Sequence, residues 1–141
     1  MHSLVYRSVA SDSFTRPEIY SMLSRAKDYN AEHGITGCLL YHNAYFLQLL
    51  EGDEAKVMDL FERISKDERH HQLTLVESNS INERMFKTWS MAFHDYGQNG
   101  LSAPLKLEQI NTFLNDTKIY HQKSLPVLKF FSNVKDILFS N

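Results

Sequence analysis

The chain has 141 residues, of which 43% are hydrophobic and 12% aromatic, enough for one domain with a continuous hydrophobic core. Its formal net charge of −2 and isoelectric point near 6.4 argue against nucleic acid or an anionic membrane surface as a partner. A single cysteine, Cys38, excludes an internal disulfide. No apolar stretch reaches the roughly 20 residues of a membrane span, so a cytoplasmic location is expected.

The first predicted elements are a strand and a helix. Residues 4–9 (LVYRSV) are β-branched and aromatic, which predicts a short strand. Thr15 and Glu18 have the spacing of a capping box around Pro17, so a helix is expected to begin there and to end before Gly34.

The apolar stripe of this helix ends on an amide. Hydrophobic residues recur at Ile19, Leu23 and Ala26, and the next position of the same stripe is Asn30. Position alone favours a side chain that caps the end of the helix.

Residues 35–52 (ITGCLLYHNAYFLQLLEG) predict a β-hairpin, because two apolar runs flank a short polar turn. Both strands are apolar enough for both faces of the hairpin to be covered. Gln48 breaks the pattern, on the same side as Phe46 and Leu50. A buried amide without partners costs about 1–3 kcal/mol, so Gln48 must have partners.

Three more elements are predicted after the hairpin. Asp53 is a suitable N-cap for a helix from Glu54 to about Lys66, and a polar loop over residues 66–71 follows. Residues 72–81 alternate as a strand. A last strand over residues 89–94 would place three large side chains on one face: Trp89, Met91 and Phe93.

The remaining residues, 101–141, predict two amphipathic helices, the second opened by Ser124 and Pro126. The order strand, helix, strand, strand, helix, strand, strand predicts an α+β fold. We expect a ferredoxin-like sandwich with a mixed five-stranded sheet and two helices on one face. The C-terminal helices would pack on the other face or pair with another chain.

Motifs for enzymatic chemistry are missing from the sequence. There is no HExxH, no close His/Cys cluster for a metal and no Gly-rich phosphate loop. An RNA-binding sheet is one alternative for this fold, but the strand YFLQLLEG offers no Lys or Arg. An acylphosphatase-like hydrolase is another, with Arg7 and residues 8–11 as a weak candidate for its anion-binding loop.

Three polar side chains remain on predicted apolar faces: Tyr6, Asn30 and Gln48. The first and third strands of this architecture are central neighbours, which places Tyr6 beside Gln48 with Asn30 across a slot between the helices. Two amides and a phenol suit a planar heterocycle with alternating donors and acceptors. They do not suit acid–base or nucleophilic catalysis, so the residues predict a ligand-binding module rather than an enzyme.

The same residues lie in segments that resemble a BLUF domain, a flavin-based blue-light sensor. The segments are LVYRS, YNAEHGITGCLLYHNAYFLQLLEG, ISKDERHH and FKTWSMAF, in the family's order and spacing from about residue 4 to residue 93. The tail resembles, more loosely, the two-helix extension of short stand-alone members. The resemblance implies a flavin-binding domain over residues 1–97 and a C-terminal helical extension over residues 98–141.

The resemblance implies non-covalent FAD with its isoalloxazine ring inserted between the two helices. Gln48 would lie between Tyr6 and the flavin N5/O4 edge, and Asn30 would hold O4 and N3. Arg69 would contact the phosphates. The implied cofactor-binding residues are Tyr6, Met22, Tyr29, Asn30, Leu39, Phe46, Gln48, Ile64, Asp67, Arg69 and His70.

The resemblance also implies a photocycle. Light drives electron and proton transfer from Tyr6, Gln48 then rotates or tautomerises, and the flavin absorption shifts to the red. Trp89 and Met91 pass the change to the last strand and the C-terminal helices. Tyr29, where several members carry His or Asn, would be a second oxidisable phenol near the ring.

Output is expected through a separate downstream effector protein, because the domain fills nearly the whole chain. No direct nucleic acid or membrane partner is expected. The chain is expected to form a homo-oligomer. The alternative is a non-photochemical ferredoxin-like module for ligand binding or protein interaction.

Overall fold

The computed structural model describes residues 1–42, 44–87 and 90–95. Its elements in chain order are β1 (His2–Ala10), α1 (Arg16–Glu32), β2 (Thr36–His42), β3 (Tyr45–Gly52), α2 (Glu54–Ser65), β4 (His70–Ser80) and β5 (Ala92–Asp95). The strands form one sheet in the order β4-β1-β3-β2-β5, in which only the β2–β5 pair is parallel. The predicted ferredoxin-like α+β class is confirmed, while the predicted C-terminal helices fall outside the described residues.

Both helices begin at the predicted caps. The Thr15 hydroxyl accepts from the Glu18 N–H at 3.4 Å, and the Glu18 carboxylate accepts from the Thr15 N–H at 3.2 Å, so the capping box is formed. The Asp53 carboxylate accepts from the Lys56 N–H at 3.3 Å at the start of α2. Local sequence thus determines where the two helices start.

Helix α1 ends before Gly34, as predicted, but the Asn30 side chain does not cap it. His33 is the C-cap residue, and Gly34 follows with φ of +65°, a conformation that glycine adopts without strain. Asn30 contributes only its backbone carbonyl, which accepts from the N–H groups of His33 and Ile35. Its side chain does not cap the helix, because it points away to a more distant part of the chain.

Apolar side chains cover both faces of the sheet, as the hairpin pattern predicts. On the helix side, Leu4 and Leu50 of the sheet pack with Ile19 of α1 and Val57 of α2. On the opposite face, Leu49 is 0% exposed. Burial on both faces explains why the two hairpin strands are nearly continuous apolar runs.

Strand β4 is longer than predicted and is bulged. Its pairing with β1 shifts register between Val5 and Tyr6 and again between Arg7 and Val9, each time with an extra residue on β4. Bulges bend the strand and let pairing continue, so β4 extends back to His70, opposite Ala10. The prediction of a loop through residues 66–71 is therefore wrong at its last two residues.

The last strand begins later than predicted. The first β2–β5 pair is Cys38 with Ala92, so Met91 precedes β5. The Ser90 carbonyl accepts from the Asn30 side chain, and the ladder starts only after it. Trp89 lies outside the described residues.

Within the described ranges, no helix has the length and hydrophobicity needed to cross a bilayer. No three His, Cys, Asp or Glu side chains converge there as a metal ion would require.

Candidate functional site

Tyr6 and Gln48 are brought together by the register of the two central strands. The β1–β3 ladder pairs these residues directly opposite each other, so both side chains project towards the helices. The Tyr6 hydroxyl donates a hydrogen bond to Gln48 Oε1. Both residues are buried, at 4% and 6% exposed.

The orientation of the Gln48 amide follows from its two partners. Gln48 Nε2 lies 3.4 Å from Met91 Sδ, and a thioether sulfur can only accept a hydrogen bond. The amide nitrogen therefore faces Met91 and the amide oxygen faces Tyr6. Gln48 has the buried partners that its position in the sequence requires.

The Tyr6 phenol is held in its protonated form. Its ring lies 5.7 Å from the Phe61 ring and 6.3 Å from the His70 ring, measured between centroids. Burial raises the pKa of the phenol above its ordinary value, and the negative charge of Asp67 adds to the rise. Tyr6 is consequently a hydrogen-bond donor throughout the physiological pH range.

Asn30 presents an unsatisfied acceptor. The residue is 1% exposed, and its Nδ2 donates to the Ser90 carbonyl at 2.9 Å. Its Oδ1 has no hydrogen-bond partner within the described part of the chain. A buried acceptor left unpaired costs about 1–3 kcal/mol, so a ligand donor at this position would relieve it.

A cavity of about 500 Å³ lies among these three residues, in the size range of small-molecule sites. All eleven side chains predicted to bind a cofactor line it, together with Met91: Tyr6, Met22, Tyr29, Asn30, Leu39, Phe46, Gln48, Ile64, Asp67, Arg69 and His70.

Sequence reasoning missed five further lining residues: Phe14, Leu23, Arg25, Ala26 and Leu60. A helical signal for Arg25 was available, because it lies three residues after Met22 and four before Tyr29 on the same side of α1. Phe14 precedes the helix, where no periodic pattern exists to reveal it.

The charged lining residues are not equivalent. Arg69 Nε donates to both carboxylate oxygens of Asp67, at 2.9 and 3.0 Å, and its guanidinium lies 5.2 Å from the centre of the Phe14 ring. The hydrogen bond from Arg69 lowers the pKa of Asp67, so this pair is ionised and nearly neutral in sum. Arg25, by contrast, forms no ion pair with a described carboxylate.

His70 is fixed by both ring nitrogens. Nδ1 lies 2.7 Å from Ser8 Oγ and Nε2 lies 2.7 Å from the Ile64 carbonyl. A carbonyl can only accept, so Nε2 carries a proton. Ser8 is fully buried within β1, so the anion-binding loop of the hydrolase alternative is not formed.

Tyr29 is half-buried at the cavity wall. Its ring stacks on the His33 imidazole, with centroids 3.9 Å apart and planes 17° apart. The Arg63 guanidinium lies 5.2 Å from the centre of the same ring. These contacts hold the phenol beside the cavity.

Comparison with known proteins gives one family. The sequence model of BLUF, described as sensors of blue light using FAD, matches residues 1–92. The photoactivated adenylate cyclase subunit beta of Euglena gracilis is 34% identical over 90 residues, which cover 63% of this chain and 10% of that protein. The blue light- and temperature-regulated antirepressor BluF of Escherichia coli (strain K12) is 32% identical over 93 residues, 66% of this chain and 23% of that one. The chain therefore spans under a quarter of the length of these curated relatives.

Solved structures agree. BlsA in its ground state has a TM-score of 0.73 and 31% identity, covering 99% of this chain and 89% of that one. BlrB, a BLUF protein in its dark state, has a TM-score of 0.74 and 26% identity, covering 94% and 96%.

Proposed function

Because the chain belongs to the BLUF family, the sensors of blue light using FAD, we propose that it is a photoreceptor whose Tyr6–Gln48 pair responds to light absorbed by a flavin in the cavity. The observation that carries the proposal is the hydrogen bond from the Tyr6 hydroxyl to Gln48 Oε1 at the wall of that cavity. A sensor of this kind needs no catalytic acid, base or nucleophile, so we propose a photoreceptor and not an enzyme.

The residues present fit a flavin. The unpaired Asn30 Oδ1 requires a donor from inside the cavity, and the imide N3–H of an isoalloxazine ring is such a donor. Apolar side chains that can cover a flat ring lie around the same space: Met22, Leu39, Phe46 and Ile64.

Arg25 is a better candidate than Arg69 for contact with the phosphate of the flavin. The donors of Arg69 are directed at Asp67, and diverting them would leave a half-buried carboxylate without its partner. Arg25 lines the cavity without an ion-pair partner among the described carboxylates. A flavin with an anionic tail, FAD or FMN, is thereby favoured over riboflavin.

A bound flavin supplies blue-light absorption and an excited state that takes up an electron and a proton. Tyr6 is the donor, because its phenol is kept protonated and its O–H is directed at the Gln48 oxygen. Gln48 then rotates or tautomerises, which changes the hydrogen bonds that its amide offers on the cavity side. Rotation would turn the amide oxygen towards Met91 Sδ and break the present N–H···S contact. Met91 leads directly into β5, so the change reaches the edge of the sheet.

The test is a spectrum. Purified protein supplied with FAD, FMN or riboflavin should become yellow, and blue light should shift its flavin band to the red, reversibly in darkness. A protein that stays colourless with all three flavins would refute the proposal. The alternative, a non-photochemical ferredoxin-like module for ligand binding or protein interaction, would then take its place.

We also propose that the output passes to a separate effector protein. The relatives include photoactivated adenylate cyclase subunits, and the match to the subunit beta covers 10% of that protein.

A further inference from the structure

A buried carboxylate lies outside the cavity, at the end of β3. Glu51 is 1% exposed, and the alternation of side chains along β3 directs it to the sheet face opposite Gln48 and Leu50. Burying an ionised carboxylate is costly unless its oxygens accept hydrogen bonds. Glu51 therefore needs several donors from the surrounding chain.

Those donors come largely from one short segment, residues 84–86. Glu51 Oε1 accepts from the backbone N–H of Met85 at 2.9 Å, and Oε2 accepts from the backbone N–H of Phe86 at 2.9 Å. The Thr36 hydroxyl donates to Oε2 at 3.1 Å. Each oxygen of the carboxylate thus binds the connection between β4 and β5.

Arg84 attaches the same segment through its side chain. Its Nη1 donates to Thr36 Oγ1 at 2.9 Å and to the Glu51 carbonyl at 3.0 Å, and its Nη2 donates to the Gly34 carbonyl at 2.6 Å. Thr36 accepts from Arg84 and donates to the Glu51 carboxylate, so the two attachments form one network.

The connection held in this way leads to the cavity. Phe86 is 0% exposed, and a short stretch of chain separates it from Ser90 and Met91. The Ser90 carbonyl accepts from Asn30, and Met91 Sδ accepts from Gln48. Fixing one end of a short connection restricts the positions that its other end can reach.

We propose that Glu51 is a positioning residue for the light response. It fixes residues 84–86 so that Met91 meets the Gln48 amide, and so sets how fast the red-shifted state returns to the dark state. This inference rests on the proposed photoreceptor function. Glu51 itself does not line the cavity, so it acts on Gln48 only through the connection and Met91.

The first variant is Glu51→Gln. It replaces one acceptor oxygen by an NH2 group, so that a hydrogen-bond donor faces the backbone N–H of either Met85 or Phe86, which is also a donor. Flavin should still bind and the red shift should still form, but the rate of dark recovery should change at least about threefold. Glu77→Gln is the matched control, because Glu77 is a partly buried carboxylate on β4 that accepts from Asn79 and not from the connection. Its recovery rate should equal that of the wild type.

A double-mutant cycle distinguishes positioning from general destabilisation. Met91→Ala removes the group through which Glu51 acts, so Glu51→Gln/Met91→Ala should recover within about twofold of Met91→Ala alone. A double variant whose rate change is the product of the two single changes would overturn the proposal. So would an unchanged rate in either single variant.

If Glu51→Gln does not fold, Arg84→Met enters the same cycle. It removes three hydrogen bonds of the connection and leaves the carboxylate with its two backbone donors. A wild-type protein without any red shift would refute the proposed function itself. A wild-type red shift with independent effects in the cycle refutes the positioning role alone.

Discussion

Removing the Tyr6–Gln48 hydrogen bond from either side should abolish the light response while leaving the flavin bound. Tyr6→Phe keeps the ring and deletes the only proton that the phenol can give. Gln48→Leu keeps much of the side-chain volume and deletes both amide functions. Neither change opens a large cavity, so both variants should fold and become yellow with FAD.

The magnitudes follow from burial. Tyr6→Phe leaves Gln48 Oε1 without a donor in a residue that is 6% exposed, which should lower the free energy of unfolding by about 1–3 kcal/mol. Gln48→Leu leaves the Tyr6 hydroxyl without an acceptor, at a similar cost of about 1–3 kcal/mol. The double variant removes both polar partners, so its loss should be smaller than the sum, with a coupling of about 0.5–3 kcal/mol.

The assay combines urea titrations with light-minus-dark spectra of all three variants, with the affinity for FAD measured for each because bound ligand adds stability. A loss of 2 kcal/mol would lower the urea midpoint by about 1 M for a slope near 2 kcal/mol/M. Tyr41→Phe is the matched control, since it deletes the same atom from a tyrosine that packs on Phe46 and does not line the cavity. A full red shift in Tyr6→Phe or in Gln48→Leu would refute the role of that residue. Strictly additive stability losses would refute the coupling.

Three further predictions concern the rest of the cavity. Arg25→Gln should weaken the binding of FAD and FMN about tenfold relative to that of riboflavin, because one charged contact is lost, whereas Arg69→Gln should weaken the binding of all three alike. Equilibrium fluorescence titrations measure these affinities. Equal losses of affinity for all three flavins in Arg25→Gln would exclude a phosphate contact. Tyr29→His should raise the quantum yield of the red-shifted state, because it removes a second phenol that competes as electron donor; an unchanged yield and excited-state lifetime would mean that Tyr29 does not donate. The raised pKa of Tyr6 means that the folded state holds its phenolic proton at pH values where the unfolded chain, with a pKa near 10.0, has lost it. The contribution of Tyr6 to stability is therefore complete below pH 10 and is lost as pH rises further, by up to about 1.4 kcal/mol per pH unit. Tyr6→Phe should flatten this part of the plot of urea midpoint against pH.

Sequence patterns predicted the elements well where the cause was local. The capping box of α1 needs only Thr15 and Glu18, three residues apart, and it is formed. Three predictions were wrong, and each involves distant groups: the Asn30 side-chain cap, the loop through residue 71 and the start of the last strand. The β4 strand begins early because bulges bring His70 opposite Ala10. The β5 strand begins only at Ala92, and the Ser90 carbonyl before it accepts from the Asn30 side chain, which therefore does not cap α1.

The polar residues of the cavity were recognisable as exceptions. Asn30 and Gln48 occupy apolar stripes, and this conflict with the pattern indicated that each needs a partner. The pattern did not name the partners. Gln48 and Tyr6 are 42 residues apart, and only the β1–β3 register places them opposite each other.

Glu51 shows the limit of sequence reasoning more clearly. In the sequence it is the acidic residue near the end of the predicted hairpin, with nothing to distinguish it from a solvent-exposed carboxylate. Burial and the donors of Met85 and Phe86 make it part of the structure.

The amino-acid sequence by itself therefore determined the helix starts, the hairpin, the α+β class and the polar positions that do not fit an apolar face. These follow from backbone preferences and side-chain periodicity within a few residues. Tertiary structure decided the orientation of the Gln48 amide, the pairing of Arg69 with Asp67 and the attachment of the β4–β5 connection to Glu51. It also left Arg25 at the cavity without an ion pair to a described carboxylate. These features depend on strand register and on burial. A hydrogen bond forms between groups that the folded chain brings within about 3 Å of each other, whatever their separation in the sequence.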